Sequence, residues 1–111
     1  MDERERRIGQ NEALFRQVNE RLRDVNEAFG AVTNRIELIC ECADRSCAER
    51  ISLSVAEYED LRSTGDRFIV VAGHVVPSDV EKIDRAGDGW EIIRKREGAP
   101  ARLAKASDPR S

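Results

Sequence analysis

The sequence is short of the residues that usually brace or arm a small protein. It has three cysteines, one histidine, three prolines, three Phe, one Trp and one Tyr in 111 residues. Three thiols cannot all pair, so a disulfide framework is not the organising device, and the odd count points to a reducing cytoplasmic setting. No stretch of 18 apolar residues exists, which excludes a membrane-spanning helix. The opening run Met1-Asp2-Glu3-Arg4-Glu5-Arg6-Arg7 lacks the apolar core of a secretory signal. Neither charge sign dominates: 19 basic against 22 acidic residues give a net charge of -3. Binding to a phosphate backbone, which needs basic patches, is therefore not expected. The glycines at 65, 73, 87 and 89 match neither a P-loop nor a dinucleotide fingerprint. With few aromatics and 37% charged residues the core must be thin, and a metal cross-link would help such a chain fold.

The scarce reactive residues are not scattered. All three cysteines fall in Cys40-Glu41-Cys42-Ala43-Asp44-Arg45-Ser46-Cys47, and the single histidine, His74, follows behind Gly73. Three thiolates and one imidazole make the Cys₃His set of structural zinc sites. Residues i and i+2 of a strand share a side, so Cys40 and Cys42 can face one ion, and residues 43–46 suffice for a turn returning Cys47 to it. The intervening Glu41, Asp44, Arg45 and Ser46 suit an exposed loop, which argues against plain burial of small thiols. The expected metal ligands are thus Cys40, Cys42, Cys47 and His74, with zinc as the ion. A closed set of four protein donors leaves no position for substrate, so the expected role is structural.

Residues 1–32 read as one helix. Ile8, Phe15, Leu22 and Phe29 recur every seven residues, and Asn11, Val18, Val25 and Val32 form a second series offset by three. These are the a and d positions of a heptad. The stripe admits three partners: a second copy in a coiled coil, the chain's own sheet, or another protein's groove. The first ranks highest, giving a homodimer centred near Phe15, with the N-terminal half of the helix projecting beyond its own domain. Gly30 suits the helix end. Residues 33–96 read as a small α+β unit that holds the metal. It has a mainly antiparallel sheet of about four strands (35–40, 51–53, 68–71 and 90–95) and two short helices. The helices open at capping boxes, Ser54-Val55-Ala56-Glu57 and Ser78-Asp79-Val80-Glu81, and run to about Arg62 and Arg85. Residues 97–111 have no apolar period and read as a flexible tail.

Two other functional classes use the same residues. A thiol-based redox sensor or an iron–sulfur electron carrier would also need clustered cysteines. The CDGSH proteins hold a two-iron cluster with three Cys and one His starting from Cys-x-Cys. Here, however, Cys47 is followed by Ala48-Glu49-Arg50 and the histidine is remote. A small enzyme would use Cys47 as nucleophile, His74 as base and Asp44 to orient the ring, but no known catalytic signature surrounds them, and this reading ranks last. The segments Asn11–Arg21, Cys40-Glu41-Cys42…Cys47, Glu57-Tyr58-Glu59, Phe68-Ile69-Val70 and Gly73-His74 resemble small uncharacterised actinobacterial-type proteins with a Cys-x-Cys-x4-Cys…Gly-His motif. That resemblance implies a bacterial cytosolic chain with a shared fold and metal site, and adds no activity. The leading expectation is a zinc-stabilised interaction or regulatory module.

Overall fold

A computed structural model describes residues 2–28, 34–44, 46–75 and 77–110. Its elements in order are α1 (Glu3–Ala28), β1 (Arg35–Ile39), β2 (Arg50–Ser54), α2 (Val55–Leu61), β3 (Arg67–Val71), β4 (Glu81–Ala86), β5 (Trp90–Lys95) and α3 (Ala99–Ala106). The fold is α+β, with five strands where about four were expected. They form two antiparallel sheets, β1-β2 and β3-β5-β4. Phe29, Gly30, Val32 and Arg45 lie outside the described residues.

The β1–β2 hairpin follows from strict alternation. Ile36 and Leu38 face inward opposite Leu53 and Ile51, and all four are buried. In the second sheet, Phe68 pairs with Ile93 and Ile69 with Ile92. The two sheets meet along the chain just after β1, where Glu41 N–H donates to Ile69 O at 2.8 Å. Tyr58 and Leu61 of α2 complete the core. The first capping box forms as expected: Ser54 Oγ accepts from Glu57 N–H, and Glu57 Oε1 accepts from Ser54 N–H. A further box opens α1, between Asp2 and Glu5.

The second expected helix is a strand. Ser78 Oγ does accept a backbone N–H, from Val80, but Ser78 N–H turns back to Glu81 O. The Glu81 carboxylate, which would have closed the box, is bound to Lys95 instead. Residues Glu81, Lys82 and Ile83 then pair with Lys95, Arg94 and Ile93. The hairpin turn at 87–89 depends on its glycines. Gly89 sits at φ +80, and a Cβ on Gly87 would come within 2.2 Å of the Trp90 ring.

The expected flexible tail also contains an ordered element, since α3 buries Ala101 and Ala104. Pro100 in its first turn suits a helix start. Its apolar side chains are mostly alanines, which give little periodic signal. A charge holds it: Arg16 donates to Ala104 O at 2.7 Å and to Gly65 O at 2.8 Å, with its guanidinium over the Phe68 ring.

The helix α1 does not project. It lies on its own domain, and the buried side chains are Glu12, Arg16 and Asn19, none of them from the apolar heptad. The docked stripe, Gly9, Glu12, Arg16, Asn19 and Arg23, is the apolar stripe Ile8, Asn11, Phe15, Val18 and Leu22 moved on by one residue, about 100° around the helix. Phe15 and Leu22 are consequently half-buried. Ile8, Leu14, Val18 and Val25 remain 37%, 47%, 38% and 53% exposed. Sequence periodicity locates the apolar stripe correctly but cannot say which stripe docks. Here the polar one does: Glu12 meets the buried Lys95, Arg16 the Ala104 carbonyl, and Asn19 the buried Glu41 and the Ile39 backbone.

Candidate metal centre

The four expected residues converge on one point. One donor atom from each of Cys40, Cys42, Cys47 and His74 lies within 4.8 Å of all the others. His74 Nδ1 is 3.6 Å from Cys40 Sγ and 3.6 Å from Cys47 Sγ. Zinc–sulfur bonds of 2.3 Å and zinc–nitrogen bonds of 2.0–2.1 Å at the tetrahedral angle would put sulfur and nitrogen about 3.6 Å apart. The group therefore can hold a metal ion.

Each donor is placed by its local backbone. Cys40 extends the hairpin ladder, its N–H donating to Glu49 O at 3.1 Å. Ala43 adopts φ +71, a left-handed conformation that turns the chain after Cys42. Asp44 then closes the return: its carboxylate accepts from Ser46 N–H and Oγ, and its carbonyl accepts from Cys47 N–H. Those Ser46 bonds hold the Asp44 carboxyl below its usual range. His74 stands at the exit of β3, in a turn closed by His74 N–H to Val71 O with Gly73 at φ +84.

Neighbouring groups favour metal-binding forms of the donors. Val71 N–H donates to Cys40 Sγ at 3.2 Å, and the backbone at Asp44 does the same for Cys42. Such bonds stabilise a thiolate. Burial acts the other way and pushes both the Cys40 and Cys42 thiols up; Cys42 and Cys47 add to this at Cys40, whereas at Cys42 the Cys40 bond opposes it and Cys47 adds to it, and a bound cation would favour the thiolate forms. On the far side of the imidazole, Nε2 is 3.1 Å from Glu49 Oε2. A carboxylate at that position accepts a hydrogen bond from Nε2–H, a tautomer that leaves Nδ1 free to bind a metal.

Two side chains were misread or missed from the sequence. Glu41 is not in an exposed loop: it is fully buried, pointing away from its flanking cysteines, while Asp44 and Ser46 are exposed. Its carboxylate accepts from Ile69 N–H at 3.0 Å and from Asn19 at 2.7 Å, and is ion-paired with the equally buried Arg62. The alternation that puts Cys40 and Cys42 on one side also turns Glu41 to the other, so this signal was present. Glu49 carries no such mark. The ring of His74 is oriented by Glu49 and not by Asp44, so a thiol–imidazole–carboxylate row does exist. Cys40 lies at the same distance from Nδ1, however, which describes shared coordination better than one activated nucleophile.

The fold and site together define a small α+β protein with a Cys₃His cluster able to bind metal. No helix among the described residues is long and apolar enough to cross a membrane. No protein-family model, curated protein or solved structure matches the chain.

Proposed function

We propose that this chain is a zinc-stabilised interaction or regulatory module. Cys40, Cys42, Cys47 and His74 would hold one Zn²⁺, and the outer face of α1 would pair with a second copy of the chain. The observation that carries the metal reading is the mutual placement of the four donors within 4.8 Å. Such a span suits one ion, whereas a two-iron cluster needs its ligand pairs at opposite ends. With four protein donors the ion ties β1, the cysteine loop and the exit of β3 together without an open position, which is a structural role. Reduced thiols fit a cytoplasmic setting of the kind the actinobacterial resemblance implies. The pairing is supported by the exposed Leu14, Val18 and Val25 on a helix whose other face is already buried against its own domain.

The deciding experiment is metal analysis of protein purified without added metal or a metal-affinity tag. One zinc per chain, replaceable by cobalt with sulfur-to-cobalt charge-transfer bands, is expected. Iron with visible absorption would make the chain an electron carrier or redox sensor, and absence of any bound metal would overturn the reading.

A further inference from the structure

We propose that Asn19 and Glu41 are positioning residues that couple metal occupancy at the Cys₃His cluster to the docking of α1. The inference builds on the zinc reading above. It starts from the strand alternation at Cys40-Glu41-Cys42, which gives the metal two ligands on one side and the protein interior a carboxylate on the other. Glu41 cannot move without moving both cysteines.

From the helix side, one side chain holds this strand. Asn19 Oδ1 accepts from Ile39 N–H at 2.8 Å, and Nδ2 donates to Ile39 O at 2.9 Å and to Glu41 Oε2 at 2.7 Å. The amide thus brackets Cys40, fixing the backbone before it and the carboxylate after it. The opposite edge is held by β3. Glu41 and Ile69 exchange two hydrogen bonds, through Glu41 N–H to Ile69 O and Ile69 N–H to Glu41 Oε1, while Val71 N–H reaches Cys40 Sγ. Both Asn19 and Glu41 are fully buried, so lifting α1 leaves the carboxylate one donor short and the strand held only by its β2 and β3 contacts. Metal–ligand distances tolerate only about 0.2 Å of error, so a shifting strand is a poorer site. Linkage is reciprocal: a docked helix tightens the site, and a filled site holds the helix down. Loading would then set the presentation of the exposed stripe at Leu14, Val18 and Val25.

The test is a zinc titration against a competing chelator using wild type, Asn19→Ala and Arg16→Met. The Arg16 variant loosens α1 through its contacts with Gly65 and Ala104 and removes no hydrogen bond to residues 39–41, although the Arg16 charge lies within electrostatic reach of Glu41. Asn19→Ala should lose 10–100-fold in zinc affinity, the range for groups that orient metal ligands, and Arg16→Met less than about threefold. Hydrogen exchange of the wild type covers the case in which Asn19→Ala does not fold. Removing zinc should speed exchange of the α1 amides around Asn19 at least about tenfold, with the β4–β5 hairpin little changed. Equal affinity in wild type and Asn19→Ala, or α1 exchange indifferent to zinc, would each overturn the coupling and leave the metal site standing, and equal losses in both variants would overturn Asn19 as the residue that carries it. A wild type that takes up no zinc would overturn the metal reading and the coupling together.

Discussion

Glu41 and Glu12 are both fully buried beneath α1, in opposite electrostatic situations. Near the cysteines, Glu41 is ion-paired with Arg62, lies within electrostatic reach of Arg16, and accepts hydrogen bonds at both its oxygens. Each nitrogen of Arg62 has a partner too, Tyr58 OH and Arg67 O taking the two that Glu41 does not. Farther along the helix, Glu12 shares the single cation Lys95 with Glu81, at 2.5 and 2.6 Å. Glu12 Oε2 has no hydrogen-bond partner among the described residues. Burial pushes the Glu12 carboxyl up to about 7; Lys95 opposes this, while Glu81 and Glu41 add to it. Lys95 stays charged despite its burial because two carboxylates surround it. The cost of burying charge thus depends on the balance of charges and donors around it. One cluster is fixed, and the other carries an acid in excess.

The contrast can be broken at the cysteine end. Cys42→Ala or His74→Ala should remove the metal and produce the largest loss of stability, because structural metal binding is part of the folding free energy. Metal analysis with thermal melts checks this, and an unchanged melt with normal stoichiometry in both variants would refute the site. Next comes Glu41→Ala, which leaves Arg62 buried without its counter-charge and should cost about 3–5 kcal/mol in denaturant unfolding. A loss below about 1 kcal/mol would mean that the Glu41 cluster is not the fixed one.

At the other end the same kind of substitution should be mild. Unfolded Glu12 has an ordinary carboxyl, so the folded state holds its proton more tightly. Stability from this group is full below about pH 4.5 and is lost as pH rises through about 7. Glu12→Gln should flatten that decline, a slope worth roughly 2–3 kcal/mol between pH 5 and 9, at little cost near neutrality. Identical pH–stability curves for variant and wild type would remove the distinction between the clusters. The smallest effect on stability is expected outside both, at Val18→Glu on the exposed face. It should shift unfolding by about 0.5 kcal/mol or less while converting a dimer to a monomer in light scattering. A wild type already monomeric at high concentration would leave the α1 face without its proposed partner.

Periodicity and capping made the long helix, the β1–β2 hairpin and α2 legible, because Ile36, Leu38, Ile51, Leu53 and the Ser54–Glu57 box each signal locally. The convergence of Cys40, Cys42, Cys47 and His74 was legible because these residue types are otherwise absent from the chain. What escaped depends on distant partners. The Ser78–Glu81 box yielded to sheet pairing once Lys95 captured the carboxylate, and α3 is held by Arg16 and not by an apolar stripe of its own. The docked face of α1 was hidden for the same reason. A polar side chain looks solvent-directed in sequence until the group that satisfies it, such as Ile39 or Ala104, is known to lie opposite.

The bond from Arg16 to Ala104 spans 88 residues, and this sets an order of events during synthesis. The helix α1 leaves the ribosome well before the carbonyl that receives its central guanidinium, which follows 88 residues later. Lys95, which faces Glu12, is also made late. Until then Asn19 can already meet Ile39 and Glu41, but Glu12 and Arg16 lack their late partners, and incompletely docked chains are the ones that associate prematurely or recruit chaperones. The cysteine loop and His74 are complete some 30 residues earlier, so the site can assemble before the helix settles. Contacts of such long sequence separation slow folding. Docking of α1 is therefore completed late, and a chain stalled before residue 104 holds Asn19 in place while Arg16 still lacks its Ala104 partner.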